Sequence, residues 1–372
     1  MRPGTYIFTL LAATAVTAAG VGLASVTLAR RPAPDRFVLE RKLAAAVAQG
    51  QTVTLAGNVN EWMLRWNTAE QMPAPPDVAI IGSSHSLSVG ADDLGPLTAM
   101  NFSVSGSALP DHLVTTEILA ERGLRPKHWV IFVDPWFFDA DTDYGAWRLR
   151  SQDLLRIEER LGRSLPAPPP RLFAERVAAA ASPSPAARYN LEPILLNADA
   201  WLNEHLLRVH VTDRTDLSAP VIRADGARRA VPDPQMTDPE AVRDLAVRQF
   251  VQKADRQRYG IYRAIDPTLW NLFAAWLRSH RENGAQVWLV LPPYHPAIHS
   301  RITSAPDSQL VAIESRVRAL AAELGITISG SYDPAVAGAP AGEFYDGDHL
   351  LEPGIKRLLA PIRQKLTESA GR

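Results

Sequence analysis

The chain has 372 residues, a formal net charge of −1 and no cysteine. The near-neutral charge argues against broad electrostatic binding of nucleic acid, and the absence of cysteine excludes disulfides and thiolate metal sites. With 46% hydrophobic and 21% charged residues, the composition suits a folded protein with a sizeable core.

Arg2 precedes residues 6–29, an uncharged run that ends at Arg30-Arg31. At about 1.5 Å per residue, such a run is long enough to cross a hydrocarbon layer of roughly 30 Å. Two fates fit residues 1–31: an uncleaved signal anchor, or a signal peptide cut after Gly22-Leu23-Ala24. Arg30, Arg31, Arg36, Arg41 and Lys42 outnumber the positive charges before the run, and the positive-inside rule alone would leave the body in the cytoplasm. Residues 32–76 read as a helical region and linker. An amphipathic helix is predicted over 35–49, with Phe37, Val38, Leu43 and Val47 as apolar positions, and Met72-Pro73-Ala74-Pro75-Pro76 closes the region.

From Asp77 the pattern becomes strand, turn, helix. Continuous apolar runs predict strands at 78–81, 99–104, 128–133 and 287–291, with a weaker one at 326–328. Helices are predicted over 109–121 and 353–366. Apolar stripes predict two more, through Leu269, Leu272, Phe273, Trp276 and Leu277 and through Leu310, Ile313, Val317, Leu320 and Leu324. The alternation predicts an α/β fold with a parallel sheet covered on both faces, over 77–366. Residues 136–265 break the rhythm and read as a mainly helical insertion, with helical pieces at 153–161 and 191–209. Trp136 and Trp147 could stack on sugars, but core burial is the plainer reading.

Two short motifs carry the chemistry. Gly82-Ser83-Ser84 follows the first buried strand, where an α/β sheet exposes its reactive groups. Serines there also simply cap the next helix. The motif is not a G-x-S-x-G elbow, because Ser86 stands where the second glycine would be. Asp346-Gly347-Asp348-His349 is a turn before a helix and brings carboxylates and an imidazole. Acyl chemistry on serine needs a serine, a base and a residue that orients the base, with backbone donors for the oxyanion.

These two motifs, in this order and with βα units between them, resemble the SGNH/GDSL hydrolase superfamily, and within it the membrane-anchored or periplasmic members linked to bacterial polysaccharide O-acylation. The resemblance covers roughly 77–134 and 266–366. It implies a three-layer α/β/α sandwich, with Ser84 as nucleophile, His349 as base and Asp346 as its orienting carboxylate. Ser83 replaces the aspartate of the family's Gly-Asp-Ser motif. The resemblance implies the N–H groups of Ser84 and Gly106 as oxyanion donors. The family's third donor, an asparagine after the third strand, is missing: the sequence there reads Asp134-Pro135-Trp136, and an ionised aspartate cannot donate. Asn101 is placed too near the start of its strand to replace it.

Other residues are weighed beside these. Asp348 is an alternative orienting carboxylate. His295, after the fourth strand, is a possible substrate contact or a structural histidine. His85 is expected to turn away from Ser84 as a helix residue. Nine histidines include no H-E-x-x-H spacing, so no metal or other cofactor is expected. The expected partners are an acylated carbohydrate or small ester and, through the N-terminal run, a membrane. The resemblance implies an extracytoplasmic body, either anchored or released to the periplasm. The functional expectation is a serine esterase or O-acyltransferase, and its rival is an SGNH-like protein without the chemistry that binds or helps assemble polysaccharide.

Overall fold

The computed structural model describes residues 37–55, 59–142, 146–162, 220–229, 238–252 and 256–371. The apolar run at 6–29 and the expected helix at 191–209 lie outside the described residues. Among the described residues, no helix is long and apolar enough to cross a membrane.

In chain order the elements are α1 (Val38–Ala48), β1 (Val53–Thr54), α2 (Glu61–Gln71), β2 (Val78–Ile81), α3 (Ala91–Leu94), β3 (Ala99–Asn101), α4 (Leu109–Glu121) and β4 (His128–Phe132). They continue with α5 (Ser151–Gly162), β5 (Val221–Ile222), β6 (Arg228–Arg229), α6 (Pro239–Gln252), α7 (Pro267–Glu282), β7 (Gln286–Leu291), α8 (Pro296–Thr303), α9 (Leu310–Leu324), β8 (Thr327–Gly330), α10 (Pro334–Ala337) and α11 (Glu352–Ala370).

The fold is mixed α/β around a five-stranded parallel sheet ordered β3-β2-β4-β7-β8. Successive side chains of a strand face opposite sides, and both sides of this sheet are buried. Ala79 and Ile81 of β2, Trp129 and Ile131 of β4 and Leu289 of β7 join a core with α1, α2, α4, α7 and α9. Val78, Ile80, Val130, Phe132 and Val290 join a second core with Leu94 of α3 and Ile355, Leu358, Leu359 and Ile362 of α11. The continuous apolar runs follow from this two-sided burial.

Local chemistry fixes the helix starts. Asp266 accepts from the N–H groups of Thr268 and Leu269, both at 2.8 Å, just ahead of Pro267 in the first turn of α7. In α4, Asp111 turns back to accept from Ala108 N at 3.0 Å. Leu39 is buried in α1 while Phe37 and Val38 are only half-buried, so the apolar face is rotated from the predicted one.

Two features were not anticipated. The predicted strand at 99–104 ends at Asn101, because the chain beyond it turns. A small antiparallel sheet, ordered β1-β5-β6, links the N-terminal region to the insertion. Strands of two residues carry too little pattern to be read from sequence. The β5–β6 hairpin docks on the site side of the main sheet: Asn101 N donates to Asp225 O at 2.8 Å, and Arg228 N donates to Leu87 O at 2.7 Å. Gly226 has φ +76°, and a Cβ there would lie 2.4 Å from Asn101 O, so the approach requires glycine. Trp136 and Trp147 are buried, at 4% and 3% exposure, and belong to the core rather than to a sugar-stacking surface.

Candidate active site

The carboxyl end of β2 delivers Gly82 and then a short 3-10 turn, Ser84–Ser86. A Cβ on Gly82 would lie 2.4 Å from Ser86 Oγ and 2.7 Å from Phe132 Cβ, so glycine is needed for the chain to turn here. Ser83 is fully buried, and its side chain accepts from His85 N at 3.5 Å. Ser84 is half-buried and opens to solvent. Asn101 clamps the turn from β3, with its Nδ2 donating to Ser86 O at 2.7 Å and Val89 O at 2.8 Å. Asn101 is the last residue of its strand rather than near the start, yet its amide is spent on these carbonyls and supplies no oxyanion donor.

The loop before α11 is closed by a Phe344–Leu350 bridge and by Tyr345 N donating to His349 O at 3.1 Å. Within it, Asp346 Oδ1 accepts from Asp348 N at 3.0 Å and His349 N at 2.8 Å. The same carboxylate faces His349 Nδ1, with its oxygens at 2.9 and 2.8 Å. His349 Nε2 lies 2.7 Å from Ser84 Oγ. Ser84, His349 and Asp346 thus form one chain of hydrogen bonds at the distances a base and its nucleophile require. With Nδ1–H donating to Asp346, Nε2 is free to accept the serine proton.

The turn after β3 is tied to the same place. Val104 N donates to Gly82 O at 3.2 Å and Ser107 Oγ donates to it at 2.9 Å. Gly106 has φ +67° at the tip of this turn. Among the described residues, the N–H groups of Ser84 and Gly106 have no acceptor.

A second set of charges lies behind the serine. His85 lies in the 3-10 turn that starts at Ser84, as expected of a helix residue, and is buried. Its Nδ1 donates to Asp134 Oδ1 at 2.6 Å, and its Nε2 lies 3.6 Å from Asp348 Oδ2. Burial opposes charging this imidazole, but Asp134 and Asp348 outweigh it and raise the pKa to about 9. Asp348 is held well below the usual carboxylate range: burial pushes it up, while His349, His85 and Arg258 pull it further down. Arg258 donates to Asp348 Oδ2 through Nε at 2.9 Å and Nη2 at 2.6 Å. Asp134 occupies the place where the third oxyanion donor was sought, and its carboxylate is committed to His85. Sequence reasoning missed His85 and Arg258. Only the Asp348 alternative hinted at this network.

His295 lies at 1% exposure, with Nδ1 accepting from Ala297 N at 3.1 Å as the cap of α8 and its ring edge-on to Phe344. This placement buries it against the site loop, with Nε2 unpartnered among the described residues. His85, Asp348 and His349 bring ligand-type atoms within 4.8 Å of one another. Each is already engaged, however: His349 Nε2 with Ser84, His85 with Asp134, and Asp348 with a guanidinium. The donor set fits an ion-pair network better than a metal centre.

Comparison with known proteins finds no matching family model and no curated protein similar to the chain.

Proposed function

We propose that the protein is a serine-dependent acyl-ester hydrolase or O-acyltransferase with an SGNH-like α/β/α architecture, acting on an acylated glycan or similar ester outside the cytoplasm. The observation that carries this reading is the chain Asp346–His349–Ser84, with His349 Nε2 at 2.7 Å from Ser84 Oγ and Asp346 at 2.8 Å from Nδ1. Ser84 Oγ attacks the acyl carbonyl, and its proton passes to His349 Nε2. The imidazolium that forms is stabilised by Asp346. Collapse of the tetrahedral intermediate expels the alcohol, which takes the proton from His349 and leaves an acyl-serine. Water or a sugar hydroxyl then repeats the sequence in reverse. The unpaired N–H groups of Ser84 and Gly106 supply two donors to the oxyanion.

A second reading, an SGNH-like protein that binds or helps assemble polysaccharide without acyl chemistry, is favoured by one observation. Asp134 holds His85 where the family places a donating asparagine. Loss of one such donor costs about 2.7–4 kcal/mol of transition-state stabilisation. Hydrolysis of p-nitrophenyl acetate and labelling by a fluorophosphonate separate the two. The acyl reading requires both in the wild type and neither in Ser84→Ala. Equal rates in the two proteins would overturn it.

A further inference from the structure

Arg258 belongs to the inserted interval, outside the segments that carry the family resemblance, yet it reaches the loop of the base. Its side chain is fixed on Asp348 Oδ2, and its carbonyl accepts from the Tyr294 hydroxyl. The other oxygen, Asp348 Oδ1, lies 3.4 Å from His349 Nδ1 and has no hydrogen-bond partner among the described residues. His349 Nδ1–H therefore sits between two carboxylates, Asp346 at 2.8 Å and Asp348 at 3.4 Å. Asp348 in turn sits between cations, the Arg258 guanidinium and the His85 ring. This is more than holding a tautomer requires, since Asp346 alone does that.

The other polar groups around the pair are Asp134, Tyr345, Tyr294 and His295. Asp134 is committed to His85. Tyr345 stacks on His349 at 5.1 Å between ring centres, and burial followed by the charge of Asp346 pushes its hydroxyl up. Tyr294, near Asp348, is pushed up by burial as well. Burial lowers His295, against the pull of Asp346.

Resting on the acyl-transfer reading above, we propose that Asp348 is a second carboxylate partner of the base, a positioning residue whose charge as felt by His349 is set by Arg258, so that the inserted segment governs how firmly His349 holds its proton. The two residues then act with opposite sign. Removing the Asp348 charge makes His349 easier to deprotonate, and removing the Arg258 charge makes it harder.

The test is the rate of Ser84 labelling by a fluorophosphonate as a function of pH, in the full-length protein. The acid limb of the wild-type profile reports deprotonation of His349. In Asp348→Asn this limb moves to lower pH by about one unit, and in Arg258→Gln it moves to higher pH. Arg258→Lys, which keeps the charge, returns towards wild type. A purely structural role would lower the rate at every pH and leave the limb in place. Labelled proteins with coincident limbs, or limbs moving in the same direction, overturn the inference and leave the acyl reading intact. A wild type that is not labelled at Ser84 overturns both. Should buried Asp348→Asn fail to fold, Arg258→Gln at its half-exposed position decides the sign alone.

Discussion

The buried imidazolium makes a prediction that does not depend on catalysis. His85 rises from an ordinary 6.5 to about 9 in the folded protein. A base raised in this way stabilises the fold fully below pH 6.5, and the contribution is lost as the pH rises through 9. At about 1.36 kcal/mol per tenfold change in proton affinity, the rise to about 9 contributes about 3 kcal/mol, of which about 2 kcal/mol disappears between pH 7 and 9. Asp111, raised by burial to about 7, adds a smaller loss in the same direction near the lower edge of that window. His112 and His280, lowered by burial to about 3, are neutral there in the folded chain and at most about a quarter protonated in the unfolded one, a small opposing contribution. The buried tyrosines titrate only at higher pH in the unfolded chain, near 10. Denaturant unfolding at a series of pH values should show the midpoint falling from about pH 7 to 9 at constant slope. The double variant His85→Asn, Asp134→Asn, which replaces the ion pair by two amides, should flatten the profile. A wild-type stability that is level across this window would refute the assignment of a permanent charge behind Ser84.

Three further outcomes follow from the packing and the sequence. Gly82→Ala forces a methyl against Ser86 and Phe132, and should cost about 1–3 kcal/mol in denaturation and weaken Ser84 labelling; an unchanged midpoint would contradict the close fit. Asn101→Leu strips donors from the Ser86 and Val89 carbonyls and the acceptor for Ser103 N, and should destabilise by about 1–3 kcal/mol; full stability together with full labelling would show that the clamp is dispensable. An alkaline phosphatase fusion after Arg36 should be active if the body is exported, and an inactive fusion would place the body in the cytoplasm.

The parts of the fold that repeat were legible in the sequence. Five parallel strands are visible because burial on two faces writes unbroken apolar runs such as Val287 to Leu291. The helices between them write stripes at helical spacing. Asp346 and His349 were legible because three residues of separation let one turn present both side chains together. Ser84 was legible because of its place after a strand. The His85–Asp134 pair was not, because it joins residues 49 apart, and neither residue carries any local mark of its partner. His85 is a residue of the short turn that begins at Ser84, as read, but its ring lies 5.0 Å from that of His349. It points into protein rather than solvent, and a rule based on a single helix cannot tell those apart. Arg258 was invisible for the same reason, as one of many arginines in an interval with no strand-and-helix rhythm.

The reactive pair is split by 265 positions of chain, from Ser84 to His349. Synthesis at about 5–20 residues per second places the two on the order of 10–50 s apart. Throughout that interval the serine is an ordinary alcohol, since the base that would take its proton has not been made. The same delay holds for Asp346, for Asp348 and for the helix that completes the second core. On the acyl reading proposed above, transfer could not begin before His349 and its loop had been made. On that reading the order of translation itself, without a separate inhibitor, would keep the unfinished chain inactive.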